Sequence, residues 1–250
     1  MRILALDTAS ESCSAALLVD GRILARERVL ERGHAEHILP MLDELLAEAG
    51  VALTALSAIA FGRGPGAFTG VRLAASVTQG LAFGAQLPVV PVSDLRALAQ
   101  RVLAHDEKLD RVLVCTDARM REVYWGCFER EQGLARLVGT ERVSAPAAVI
   151  LPAAWSEKVH GARGQAQAQD PPSARAVRGV GSGFSAYPQL REGIGPLLSG
   201  IEEGLLPRAP EIALLAAPEV AAGRVFPAEQ ALPVYLRDDV VHPAGAESLN

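Results

Sequence analysis

A basic surplus, paired cysteines and an apolar run long enough to span a bilayer are all missing from this 250-residue chain. Its formal net charge is −5, so the chain alone has no excess of cations to neutralise nucleic-acid phosphates. Cys13, Cys115 and Cys127 are odd in number and include no CxxC pair. Cys13 and Cys115 sit in apolar runs, so buried free thiols are expected. The opening residues, Met1-Arg2-Ile3-Leu4-Ala5-Leu6-Asp7, meet charge too early for a secretory signal, and with the free thiols this points to the cytoplasm. Aromatic side chains are scarce, yet half of all residues are hydrophobic, enough for one or two domains with a full core.

Charge is also absent from one internal stretch: after Arg72 the next charged side chain is Asp94. A soluble protein leaves so long a run uncharged only where nearly all of it is covered. Ahead of it, Ser57-Ala58-Ile59-Ala60-Phe61 reads as a short buried strand bounded by Gly62. The loop Gly64-Pro65-Gly66-Ala67-Phe68-Thr69-Gly70 follows, because a tight reversal needs positive φ and close backbone approach. Val71 to Gly84 reads as a helix, apolar round most of its girth through Leu73, Ala74, Val77, Leu81 and Phe83, and thin through Ala75, Ser76, Gly80 and Ala82. Such a helix needs cover on every side, one of them a sheet. A membrane span needs about 20 continuous apolar residues, and Gln79, Gln86, Pro88 and Pro91 interrupt this run. A phosphate cradle would call for Gly-Lys-Ser/Thr in the loop, which is absent. Two readings stay open: a plain core helix, and a core helix that also offers a thin apolar face to a protein partner.

Taken in order, Arg2 to Leu6 reads as a central strand, Cys13 to Val19 as a second, and Asp20-Gly21 as a hairpin turn into Arg22 to Leu30. His34 to Ala49 reads as a helix ended by Gly50, with Ile38, Leu42, Leu45 and Ala49 as one stripe and Leu39, Met41 and Leu46 widening it. Leu87 to Val92 is a further strand, and Ser93 caps a helix to about His105. The order β-β-β-α-β-α-β-α is that of a ribonuclease-H-like module, the repeat unit of actin-like ATPase (ASKHA) folds. The second half begins similarly, with strands at 111–116 and 123–128, a third over 134–138, a short helix from Pro146 to Leu151, a Gln- and Pro-rich loop at 161–175, a strand into a Gly turn at 177–183, and a helix from Pro210 to Gly223. The expectation is an α/β chain of two such lobes, 1–105 and 106–250, the second degenerate, with the C-terminal segment packing back on the first.

Few residues carry obvious chemistry. His34 and His37 stand i, i+3 near a helix start, without a third ligand at useful spacing, and read as solvated or capping side chains. Asp7 at a strand end could orient Mg²⁺ in a phosphate site, and is the only weak candidate for cofactor binding; the turn after it has neither glycine nor lysine. Asp117 and Glu122 flank a turn with Arg119 and Arg121, a pattern that reads as a solvated hairpin tip. No Ser/His/Asp or Cys/His arrangement stands out, and His160 and His242 lie in loop-like stretches.

Four motifs, in order along nearly the whole chain, resemble the TsaB (YeaZ) family: Leu6-Asp7-Thr8-Ala9, His34-Ala35-Glu36-His37-Ile38-Leu39-Pro40-Met41, Gly64-Pro65-Gly66-Ala67-Phe68-Thr69-Gly70-Val71-Arg72, and Asp117-Ala118-Arg119-Met120-Arg121-Glu122-Val123-Tyr124. Pro233 to Arg237 resembles its C-terminal signature. The resemblance implies a non-catalytic subunit of the bacterial system that makes threonylcarbamoyladenosine beside the anticodon of ANN-reading tRNAs. It implies binding to the transferase TsaD, with the ATPase TsaE joining; self-association in a homodimer when TsaD is absent; no cofactor in the isolated chain, ATP being used through TsaE; and no direct tRNA binding by the chain alone. The contact surface it implies is the helix pair 34–49 and 70–84, here His34, His37, Ile38, Met41, Leu45, Phe68, Thr69, Arg72, Leu73, Ala74, Val77, Gly80 and Leu81. In TsaD a His-x-x-x-His metal pair follows the next strand; Asp94 and Leu98 stand there in this chain, and a lone carboxylate beside a leucine would bind a metal weakly. No catalytic or metal residue is therefore expected. The rival expectation is an autonomous ASKHA-type ATPase or M22-like metallopeptidase, and a third is a homodimeric scaffold without a tRNA role.

Overall fold

A computed structural model describes residues 1–155 and 176–237. The expected loop at 161–175, together with His160 and His242, lies outside the described residues. Two five-stranded sheets form the framework. The first holds β1 (Arg2–Asp7), β2 (Ser12–Val19), β3 (Arg22–Val29), β4 (Ala58–Gly62) and β5 (Val89–Val92) in the order β3-β2-β1-β4-β5. β1 pairs antiparallel with β2 and parallel with β4, with Leu4 opposite Leu17 and Ile59. β1 is apolar on both faces because both are covered. The second sheet holds β6 (Arg111–Asp117), β7 (Val123–Glu131), β8 (Leu134–Ser144), β9 (Val177–Val180) and β10 (Gly200–Glu202). Its order, β10-β9-β6-β7-β8, is the first sheet's order over again. The fold is thus an α/β pair of ribonuclease-H-like lobes related by internal duplication.

The helices whose bounds lie within the described residues are α1 (His34–Ala49), α2 (Phe68–Ala85), α3 (Asp94–His105), α4 (Gly183–Ala186), α5 (Pro188–Ile194) and α6 (Ala209–Ala221). Gly50 ends α1 in the left-handed conformation (φ 63°), its N–H returning to the last turn. α2 begins three residues earlier than the sequence predicts. It ends one residue past the predicted Gly84, where Gln86 caps it at φ 56° and Pro88 follows. The expected helix from Pro146 to Leu151 is only a 3-10 turn, Pro146–Ala148, and β8 runs six residues past its expected end.

Packing does not follow the expected division at residue 105. α1 and α2 cover one face of the first sheet, with Ile38, Leu42, Leu45, Ala74 and Ala82 against Leu4, Leu17, Ile59 and Phe61. The other face is covered by α6, from the far end of the chain, through Ile212, Ala213 and Leu215 against Ile3, Ala5 and Ala60. α3, in the first half by sequence, packs on the second sheet: Leu95, Leu98 and Val102 meet Val112, Val114 and Phe128. Each lobe therefore completes its core with a helix from the other half. Apolar periodicity says that a helix needs cover but not which sheet supplies it, so sequence order assigns α3 and α6 to the nearer sheet and tertiary packing exchanges them.

After α6 the chain becomes a strap. Phe226 bridges to Val89 at the edge of the first sheet, the 3-10 turn Ala228–Gln230 lies against α2, and Val234 donates to Arg63 O at 2.8 Å. Arg237 then reaches the second lobe, donating to Ala118 O at 3.2 Å and pairing with Glu122.

Candidate functional site

The residues around the β1–β2 turn are packed by backbone rather than left open. Thr8 Oγ1 donates to Gly70 O at 2.7 Å, and Ala67 N donates to Ala9 O at 2.7 Å. A Cβ on Gly70 would lie 2.0 Å from Thr8 O, and one on Gly66 would lie 2.4 Å from Ala9 O. These glycines are required by contact, and the first turn of α2 fills the space in front of the turn. We expect Gly70→Ala to cost about 3 kcal/mol, since the obstructing atom is backbone and cannot rotate away. Thermal denaturation should register this as a fall of roughly 10 °C; an unchanged Tm would show that the turn has slack.

Behind the turn lies a pair of acids that the sequence does not announce. Asp7 is fully buried and Asp94 is 3% exposed. Asp7 Oδ1 accepts from Ala9 N at 2.8 Å, and Asp94 Oδ2 accepts from Gly64 N. A Cβ on Gly62 would sit 2.5 Å from Asp94 Oδ1 and 2.7 Å from Asp7 Oδ1, so both carboxyls converge over a residue that must be glycine. Asp7 Oδ2 and Asp94 Oδ1 have no hydrogen-bond partner among the described residues. Burial raises the Asp7 carboxyl to about 6; burial and the adjacent Asp7 charge push Asp94 well above the usual carboxylate range. Two carboxyls buried over one glycine disfavour carrying two charges at once, so a proton held between them is the expected state. The expectation of a carboxylate left alone at Asp94 is corrected accordingly: its neighbour is Asp7. Leu98 is fully buried in the second lobe's core. No three His, Cys, Asp or Glu side chains converge to hold a metal among the described residues.

His34 Nε2 lies 2.9 Å from Ser10 O, so this ring ties the start of α1 to the β1–β2 turn, and His37 is half-buried one turn on. Burial raises the thiol of Cys13 to about 11 and that of Cys127 to about 12, which keeps both protonated and unreactive near neutrality.

The residues expected to face a partner divide into two sets. Ile38, Met41, Leu45 and Ala74 are no more than 5% exposed and point into the protein's own first-lobe core. That part of the expected face is corrected: the sheet takes the stripe. Phe68, Thr69, Arg72 and Gly80 are exposed on the outer side of α2, with Leu73, Val77 and Leu81 half-buried between them. Nothing lies within 4 Å of a Cβ built on Gly80 or Gly84. Two apolar side chains omitted from the expected face belong to it, Leu39 on α1 (46% exposed) and Phe83 on α2 (69% exposed). The strap adds Tyr235, which accepts from Arg72 Nε at 2.7 Å while the Arg72 guanidinium lies 3.6 Å above the Phe68 ring. These large apolar groups form an exposed patch on the solvent side of a helix that already covers a sheet. No helix among the described residues is long and apolar enough to cross a membrane.

A sequence model of TsaD, described as tRNA N6-adenosine threonylcarbamoyltransferase, matches residues 27–242. The chain is 40% identical over 241 residues to the tRNA threonylcarbamoyladenosine biosynthesis protein TsaB of Escherichia coli (strain K12), covering 96% of each chain. It is 38% identical over 248 residues to the protein of the same name from Haemophilus influenzae, covering 96% of this chain and 95% of that one. Among solved structures, YeaZ from Pseudomonas aeruginosa superposes with a TM-score of 0.77 at 45% identity, over 94% of this chain and 99% of the other. A crystal structure described as a protein with similarity to peptidase YeaZ from Pseudomonas aeruginosa gives a TM-score of 0.80 at 47% identity, over 94% and 99%. Identity of this extent over whole chains, on the same duplicated architecture, establishes that the chain belongs to the TsaB (YeaZ) family.

Proposed function

We propose that the chain is a non-catalytic subunit in threonylcarbamoyladenosine modification of tRNA, binding and activating TsaD together with the ATPase TsaE through the outer sides of α1 and α2. The observation that carries this reading is the exposed apolar face of α2, with Phe68 and Phe83 exposed and open space over Gly80 and Gly84. Small residues let a second helix pair approach to within the usual 8–10 Å between axes. In the absence of TsaD the same face serves self-association. The chain itself acts without a cofactor, in the cytoplasm, and does not bind tRNA alone.

Three features of the interior support a non-catalytic role. The β1–β2 turn is packed against the first turn of α2 through Thr8–Gly70 and Ala67–Ala9 hydrogen bonds, which fills the space where a phosphate would enter. The Asp7–Asp94 pair is closed to solvent. Leu98 occupies a core position where its TsaD counterpart would be a ligand. A solved relative described as similar to a peptidase makes the metallopeptidase reading the one to test.

The test is reconstitution. TsaD, TsaE, ATP and tRNA should yield modified adenosine only when this chain is added, whereas the isolated chain should neither retain a metal after dialysis nor titrate with ATP. Stoichiometric metal, or turnover by the chain alone, would overturn the reading.

A further inference from the structure

We propose that the tip of the β6–β7 hairpin, clamped by the C-terminal strap, is a second contact surface for the protein that covers α1 and α2, and that it receives an acidic segment of that protein. The inference rests on the helix-face reading above and extends it to a different lobe.

Three hairpin turns of this chain enter the left-handed region, and they differ. Two place glycine where it is needed: Asp20-Gly21, at φ 50° and 78°, and Gln132-Gly133, at φ 52° and 82°. The third runs Arg119, Met120 and Arg121 through φ 61°, 52° and 61° with no glycine at all. Each side chain is strained there relative to glycine, and strain of this kind persists only where the surroundings over-determine it.

The surroundings do so. Asp117 Oδ1 accepts from Arg119 N at 2.8 Å and from Tyr187 Oη at 2.7 Å, and Glu122 N donates to Arg119 O at 3.0 Å. Arg237 holds the outside of the turn through Ala118 O and Glu122. Yet the strained residues bury nothing of their own: Met120 is 70% exposed, the Arg119 side chain is 82% exposed, and Arg121 is exposed. The backbone is braced from behind to present side chains outward.

What it presents fits a protein. The strap links the tip to the helix face without a break: Tyr235 touches Phe68 and Arg72 on α2, and two residues later Arg237 grips the tip. The resulting strip is built of Arg, Met, Tyr and Phe, the types enriched at interface cores. Arg119 is answered by Asp117 and Arg237 by Glu122, which leaves Arg72 and Arg121 without a carboxylate among the described residues, in a chain of net charge −5. A partner segment bearing carboxylates completes this strip.

Binding to purified TsaD, measured by calorimetry, tests the proposal with three variants. The double reversal Arg119→Glu with Arg121→Glu should weaken binding about tenfold at 0.1 M salt, and less at 0.5 M, where screening shortens the field. Met120→Gly should raise the Tm of the free chain by relieving strain, and still weaken binding, a combination that a purely structural role cannot give. Gly80→Arg on α2 is the control. If the reversal leaves affinity within about twofold while Gly80→Arg abolishes it, the tip is not covered and the proposal fails alone. If neither variant affects binding, the helix-face reading fails and takes this one with it. If TsaD binding is kept but tRNA binding by the complex is lost, the tip reads RNA phosphates and the proposal is overturned.

Discussion

Gly80→Arg should abolish complex formation with TsaD while leaving the isolated chain folded. Gly80 is exposed on α2, and a side chain built there meets nothing within 4 Å. In the free chain the arginine would be solvated, and replacing a mid-helix glycine with a better helix former adds up to about 1 kcal/mol. In the complex the same side chain would enter a helix–helix seam within an interface of about 800 Å² per partner. An unpaired charge buried there costs about 3–5 kcal/mol, more than a hundredfold in affinity. Ala74→Arg provides the contrast. Ala74 is fully buried against the first sheet, so arginine there should unfold the lobe and would say nothing about binding. Co-purification of Gly80→Arg chain with TsaD at wild-type yield would place the contact elsewhere.

Asp94→Asn should stabilise the protein at pH 8 and flatten its pH dependence. Asp7 is held near 6, and burial with the adjacent Asp7 charge raises Asp94 well above its ordinary range, against an unfolded value near 3.8. Folded values above unfolded ones mean that the stabilising proton is fully in place below about pH 4 and is lost as pH rises through the folded values. The wild-type chain should therefore weaken from about pH 4 upward, with Asp7 alone contributing about 3 kcal/mol by pH 8. Asparagine keeps an acceptor for Gly64 N and gives Asp7 a donor in place of the shared proton. Denaturant melts from pH 4 to pH 9 should show the variant gaining on wild type as pH rises, with a Tm advantage of roughly 5–10 °C at pH 8. A variant less stable than wild type across that range would mean the two carboxyls are not sharing a proton.

Local rules carry much of the fold. Gly33 and Gly50 bracket α1, Asp20-Gly21 turns β2 into β3, and the repeated strand pattern anticipates two copies of one sheet. What local rules miss depends on distant partners. Phe68-Thr69-Gly70 reads as loop because glycine is a poor helix former, yet Gly70 is there to admit Thr8 from another element. The Asp7–Asp94 pair joins residues far apart in sequence, and no spacing pattern could announce it. Apolar periodicity locates a helix stripe but not what it faces. Ile38, Met41, Leu45 and Ala74, which the resemblance places on the partner face, are sheet-facing, while Leu39 and Phe83, which the apolar pattern includes without assigning a direction, are exposed. The short segments β10, α4 and α5 carry too few residues for any periodicity to register.

The exchange of α3 and α6 has a consequence for synthesis. As the chain leaves the ribosome, the first sheet is complete once Val92 emerges, but one of its apolar faces stays bare until residues 209–221 follow. More than a hundred residues of nascent polypeptide must pass while Ile3, Ala5 and Ala60 wait for their cover. Neither half can mature as an independent folding unit, and a fragment ending at residue 105 should emerge insoluble, with a greasy sheet on one side and an orphaned α3 on the other.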